Sequence, residues 1–86
     1  MTEKIKKCPA FIIKVGEDAR IKRRRLGLNQ SVFWGRVATT QSAGSRYEGS
    51  REMPSTVKAL LQIAYGTQKQ AADMVEWLRQ NTAASA

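Results

Sequence analysis

Helix-stop and helix-start signals follow one another closely along the middle of this chain. Gly27 with Asn29, Ala38-Thr39 with Thr40, the loop Gly49-Ser50-Arg51-Glu52-Met53-Pro54, and Gly66 with Thr67 all punctuate the stretch between Gly16 and Gly66. Only helices of roughly three turns or fewer fit between them. With 86 residues in total there is room for one core and not two. The chain is therefore constrained to a small cluster of short helices.

Reading between the signals gives five helices. Glu17-Asp18 suit the positive end of a helix start, and Lys22 to Arg25 fill its last turns where cations complement the dipole, so the first helix runs from Glu17 to Leu26. Its apolar stripe, Ala19 and Leu26, is thin. Asn29 caps a second helix, Gln30 to Val37, which sets Phe33 and Val37 on one face with Trp34 beside them. Thr40 caps a third, Gln41 to Glu48, with Tyr47 inward. Pro54 or Ser55 opens a fourth, with Val57, Leu60, Leu61 and Ala64 at core spacing. Thr67 to Asn81 makes a fifth, carrying Ala71, Met74, Val75 and Leu78 on one face and Trp77 at its margin. Val75 and Leu78 are expected in the core. The expected organisation is an arm over 1–15, a helical domain over 16–66, the last helix over 67–81 and a tail over 82–86. Pro9 and the β-branched Ile12-Ile13 make the arm an extended segment or a short strand.

Composition matters chiefly for what it excludes. Fifteen Lys and Arg against seven Asp and Glu leave a net charge of +8, which suits a polyanionic partner. There is no His, and Cys8 is the single cysteine, so an intrachain disulfide is impossible and a four-ligand zinc site is not expected. No metal or cofactor is called for. No phosphate loop or activated nucleophile pair is present, which excludes the common enzyme classes. The apolar run Ala10 to Ile13 is cut by Lys14, too short for an exported leader, and no stretch reaches the ~20 apolar residues of a membrane span. A cytoplasmic, nucleoid-associated protein is expected.

Two short helices joined by a tight turn, with the second exposing Gln, Ser and Arg, is the arrangement that sets side chains into a DNA major groove. The run from Leu28 to Glu48, above all Gln41-Ser42-Ala43-Gly44-Ser45-Arg46-Tyr47-Glu48, resembles the helix-turn-helix of the phage repressor/Cro (xenobiotic-response-element) family. The similarity extends from Glu17 through Arg51 and Pro54 to Gly66. It implies an all-α, five-helix, lambda-repressor-like DNA-binding domain and no enzymatic activity. It implies base contacts from Gln41, Ser42, Ser45 and Arg46, phosphate contacts from Gln30, Thr40 and Arg51, and an inward Glu48 paired with Arg23, Arg24 being the alternative. Gln pairs bidentately with adenine and Arg with guanine, so the residue types agree. The plainer reading of Gln41 and Ser42 is that they open a helix, and of Lys22 and Arg25 that they solvate one.

Three positions depart from that family's pattern. Ala38 stands where the turn usually has Gly, Trp34 where a small residue is usual, and Gly44 where a branched aliphatic is usual. Trp34 and Gly44 face one another in the family, so the indole is expected to occupy the volume that Gly44 leaves.

The functional expectation is a sequence-specific transcriptional regulator, a repressor on a palindromic operator. One such helix spans few base pairs, so a homodimer reading half-sites ~34 Å apart is expected, joined by the C-terminal helix or by the arm as a two-stranded ribbon. About 20 residues follow the fourth helix, which leaves no seat for a metabolite-sensing domain. Two other classes fit the residues: an antitoxin-type protein that also holds a toxin partner, and a non-specific nucleic-acid binder acting through charge alone.

Overall fold

The computed structural model describes residues 7–80, in which five helices follow one another with no strand among the described residues: α1 (Gly16–Arg25), α2 (Gln30–Gly35), α3 (Gln41–Gly49), α4 (Ser55–Tyr65) and α5 (Gln68–Gln80). The expected tail, 82–86, and the first part of the arm, 1–6, lie outside the described residues, as does position 81 at the expected end of the fifth helix. None of the helices is long and apolar enough to cross a membrane among the described residues.

Local chemistry explains where the helices begin and end. The Asp18 carboxylate accepts the Lys14 and Val15 N–H groups at 3.0 and 3.3 Å, satisfying donors at the start of α1. At its other end Gly27 takes φ 69°, and the N–H groups of Gly27 and Leu28 bond back to Arg24 and Arg23 carbonyls at 3.0 and 3.1 Å. This is the Schellman closure, which needs a left-handed residue. Asn29 Oδ1 accepts the Val32 N–H at 2.9 Å to open α2, and Thr40 Oγ1 accepts that of Ala43 at 3.1 Å to open α3.

Helix α2 ends two residues before the predicted Val37. The chain closes a second Schellman-type turn there, with Ala38 N–H on Gly35 O at 3.1 Å, Thr39 N–H on Trp34 O at 3.0 Å, and Ala38 itself at φ 57°. The left-handed residue draws Arg36 and Val37 out of the helix and into the turn.

The core is built from the arm, α1, α2, α4 and the turns beside them: Ile13, Ala19, Phe33, Trp34, Val37, Met53, Leu61 and Tyr65 form one buried cluster, against which Tyr47 of α3 packs. Phe33 stacks on Tyr65 with centroids 4.3 Å apart, and Trp34 meets Phe33 edge-on at 5.3 Å. Helix α3 packs on both α1 and α2, whereas α5 packs on α4.

Two faces differ from the periodicity reading. In α4 the buried residues are Ala59, Leu61, Gln62 and Tyr65, while Leu60 is 42% exposed and Ala64 is exposed. Gln62 and Tyr65 turn inward because their polar atoms find partners. Tyr65 Oη donates to Phe33 O at 2.6 Å, Gln62 Nε2 donates to Ala10 O at 3.1 Å, and Gln62 Oε1 accepts the Ile12 N–H at 2.8 Å. In α5 only Met74 is fully buried, and Val75 and Leu78 stay 38% and 40% exposed. Packing on α4 covers one edge of the α5 stripe and leaves the other open.

The Gln62 amide thus pairs with the arm backbone much as a neighbouring strand would, and Ile13 is drawn into the core beside it. The described part of the arm, 7–15, is neither helix nor strand, bends at Ile12, and is docked on its own chain through Gln62.

Candidate nucleic-acid interface

On α3 the side chains of Gln41, Ser42, Ser45 and Arg46 are all exposed, and their i, i+1, i+4, i+5 spacing puts them on one side of the helix. Gly44 and Glu48 occupy the other side. Gly44 is buried against α2, where a Cβ added to it would lie 2.2 Å from Cγ and Cδ1 of Trp34. The indole occupies the space that a branched side chain would need, and the close approach of α2 and α3 requires glycine at this point.

The inward end of α3 is held by Glu48, whose side chain is 4% exposed. Arg23 of α1, 14% exposed, clamps it with two bonds of 2.9 Å, Nε to Oε2 and Nη2 to Oε1. Trp34 Nε1 donates to Oε2 at 2.8 Å and Gln30 Nε2 to Oε1 at 3.2 Å. Arg23 also donates through Nη1 to Leu28 O at 3.1 Å, tying the end of α1 to the entry of α2. Burial pushes the Glu48 carboxyl up, but the bonds from Arg23, Trp34 and Gln30 and the attraction of Arg23 outweigh it, and the pKa lies below the ordinary glutamate value. The same contact with Glu48 raises Arg23. Among the described residues no buried side-chain nitrogen or oxygen lacks a partner.

The Trp34 bond to Glu48 is absent from the sequence reading, which treats the indole only as volume. Its signal is faint: a buried Trp N–H requires an acceptor, but nothing local names Glu48, fourteen positions away. Gln62 and Tyr65 were missed for the same reason.

The remaining candidates lie at the start of α2 and at the two ends of α3. Gln30, half-buried at the start of α2, accepts from Gln41 Nε2 at 2.7 Å, so the two glutamines form a bridge between the helix starts. Thr40 spends a lone pair on its cap and keeps its hydroxyl proton available. Arg51 is exposed beyond the end of α3, beside a groove lined also by Lys14, Lys58 and Glu52. Arg36, in the turn, lies over the Tyr65 ring at 5.9 Å. Four exposed side chains with donors and acceptors on one side of a helix can meet base edges and phosphates.

A family model described as an RsaL-like HTH domain matches residues 20–64, which is 45 of the 86 residues. The chain belongs to the RsaL-like helix-turn-helix family. It is a helix-turn-helix DNA-binding regulator by that membership, and the matched stretch runs from α1 to near the end of α4. The arm and α5 lie outside it. Comparisons with curated proteins and with solved structures returned no match.

Proposed function

We propose that this RsaL-like protein is a sequence-specific transcriptional repressor that binds a palindromic operator as a homodimer, docking in the manner of the phage repressor/Cro proteins it resembles. The observation that carries the reading is the two-sidedness of α3. Its inner side is locked by Glu48 and Trp34, while Gln41, Ser42, Ser45 and Arg46 project from the outer side. In this reading those four meet base edges, with Arg46 on a guanine and Gln41 on an adenine. Gln30, Thr40 and Arg51 hold phosphates on either side, and the net charge of +8 supplies attraction to DNA that weakens as salt rises.

The half-exposed Val75 and Leu78 of α5 favour this helix as the dimer contact. The arm is the weaker candidate, because Ala10 O and Ile12 N–H already bond to Gln62 and a ribbon through them would break both bonds.

Selection of bound sequences from a random duplex pool, with wild type and Arg46→Ala side by side, tests the reading. The expected result is a palindromic motif in which one position per half-site relaxes in the variant. Enrichment of no sequence overturns it in favour of charge-driven binding. Enrichment only with an added partner protein favours an antitoxin-type role.

A further inference from the structure

We propose that Glu48 is a positioning residue for base readout: through Gln30 it dictates which way the Gln41 amide faces, and so commits Gln41 to adenine. The inference rests on the docking mode proposed above and concerns what sets its specificity at one base pair.

A carboxamide can turn over by 180° and exchange donor for acceptor, so an isolated glutamine has no fixed polarity. The chain of bonds here starts from a group with no such freedom. The Glu48 carboxylate only accepts, and Arg23 and Trp34 fix its orientation while leaving an acceptor site on Oε1. Gln30 must therefore present its Nε2 to Glu48 Oε1, at 3.2 Å. That turns Gln30 Oε1 towards α3, where it can only accept, and Gln41 must give it a proton from Nε2, at 2.7 Å. The polarity of an exposed side chain is thus set by a buried charge two residues back along the bond chain. Gln41 is left with Oε1 and one N–H for DNA, an acceptor beside a donor, which matches the N6 amino and N7 of adenine. The reversed amide would set donor against donor and acceptor against acceptor on the same base.

The test uses four duplexes of the selected operator that differ at the base pair relaxed by Gln41→Ala. Wild type is expected to prefer adenine there by roughly tenfold or more, the value of a good bidentate pair. Glu48→Gln, whose amide can donate as well as accept, is expected to reduce that preference to about twofold or less. The preference at the position relaxed by Arg46→Ala should be unchanged. If Glu48→Gln fails to fold with Arg23 stranded, the neutral pair Arg23→Gln/Glu48→Gln replaces it. Gln30→Met, which keeps the Arg23 and Trp34 bonds to Glu48, should show the same loss of adenine preference together with weaker binding to all four duplexes, and it decides the matter if neither Glu48 variant folds. Variants that bind every duplex more weakly with the adenine ratio intact overturn the relay, because a purely structural role weakens all sites alike. If Gln41→Ala relaxes no position, the base-contact assignment of Gln41 fails and takes the relay with it.

Discussion

Trp34 lies face to face with the bare backbone of Gly44, so close that a Cβ on the glycine would sit 2.2 Å from two ring carbons. A buried aromatic and an absent side chain share one volume between α2 and α3. On an exposed helix, Gly44→Ala would raise stability by ~1 kcal/mol through helix propensity alone. Here the sign reverses, because the ring is fully buried and overpacking costs ~1–3 kcal/mol. Urea denaturation should show the variant less stable, and Trp34→Ala with Gly44→Ile should lose less than the sum of the single losses. Strict additivity would refute the shared volume.

Ala38 holds φ 57° in the turn between α2 and α3. A left-handed conformation costs an L-residue ~1–2 kcal/mol, and a glycine returns ~0.5–1 kcal/mol of that through its freer unfolded chain. The exposed methyl has no packing to lose. Ala38→Gly is expected to raise the urea midpoint by an amount equivalent to up to ~1 kcal/mol, with operator affinity unchanged. A lower midpoint would contradict the strain.

Acid should unlock α3. The Glu48 pKa is depressed in the fold, so the unfolded chain binds its proton more readily and stability falls as pH falls. The contribution is complete above the ordinary value of 4.5 and is lost as pH drops through the lower folded value. Glu48→Gln should flatten this part of the stability profile. At neutral pH it should cost ~3 kcal/mol or more by leaving Arg23 buried without its counter-charge. An unchanged acid limb in the variant would assign that limb to other carboxylates.

The arm is held at two backbone groups by one side chain. Gln62→Leu keeps the volume and removes both bonds, freeing Ala10 O and Ile12 N–H. The loss is expected at ~1–3 kcal/mol, with faster hydrogen exchange at the Ile12 amide and no change in base preference, since the two Gln62 bonds share no residue with the Glu48–Gln30–Gln41 bond chain. Exchange at Ile12 as slow as in wild type would show that apolar packing of Ile13 holds the arm by itself.

Helix positions were legible from the sequence because their causes are local. The Asn29 and Thr40 caps, the Gly27 stop and the acidic start of α1 each act within a few residues, and each appears in the structure at or next to its predicted place. The exposed candidates on α3 were reached through residue type and resemblance. The burial of α4 and α5 was not legible, because periodicity puts Leu60 and Ala64 of α4 and Val75 and Leu78 of α5 at core spacing and leaves out Gln62 and Tyr65.

By itself, then, the sequence determined five short helices, their caps, and a basic chain with the helix-turn-helix pattern, since short-range hydrogen bonding and charge settle those matters. Tertiary structure alone decided which faces are buried and how the polar groups are satisfied. A glutamine or tyrosine can enter the core only where a distant carbonyl or N–H meets it, as Ala10, Ile12 and Phe33 do here. The meeting of Arg23, Trp34 and Gln30 on one carboxylate likewise depends on three helices arriving at one point.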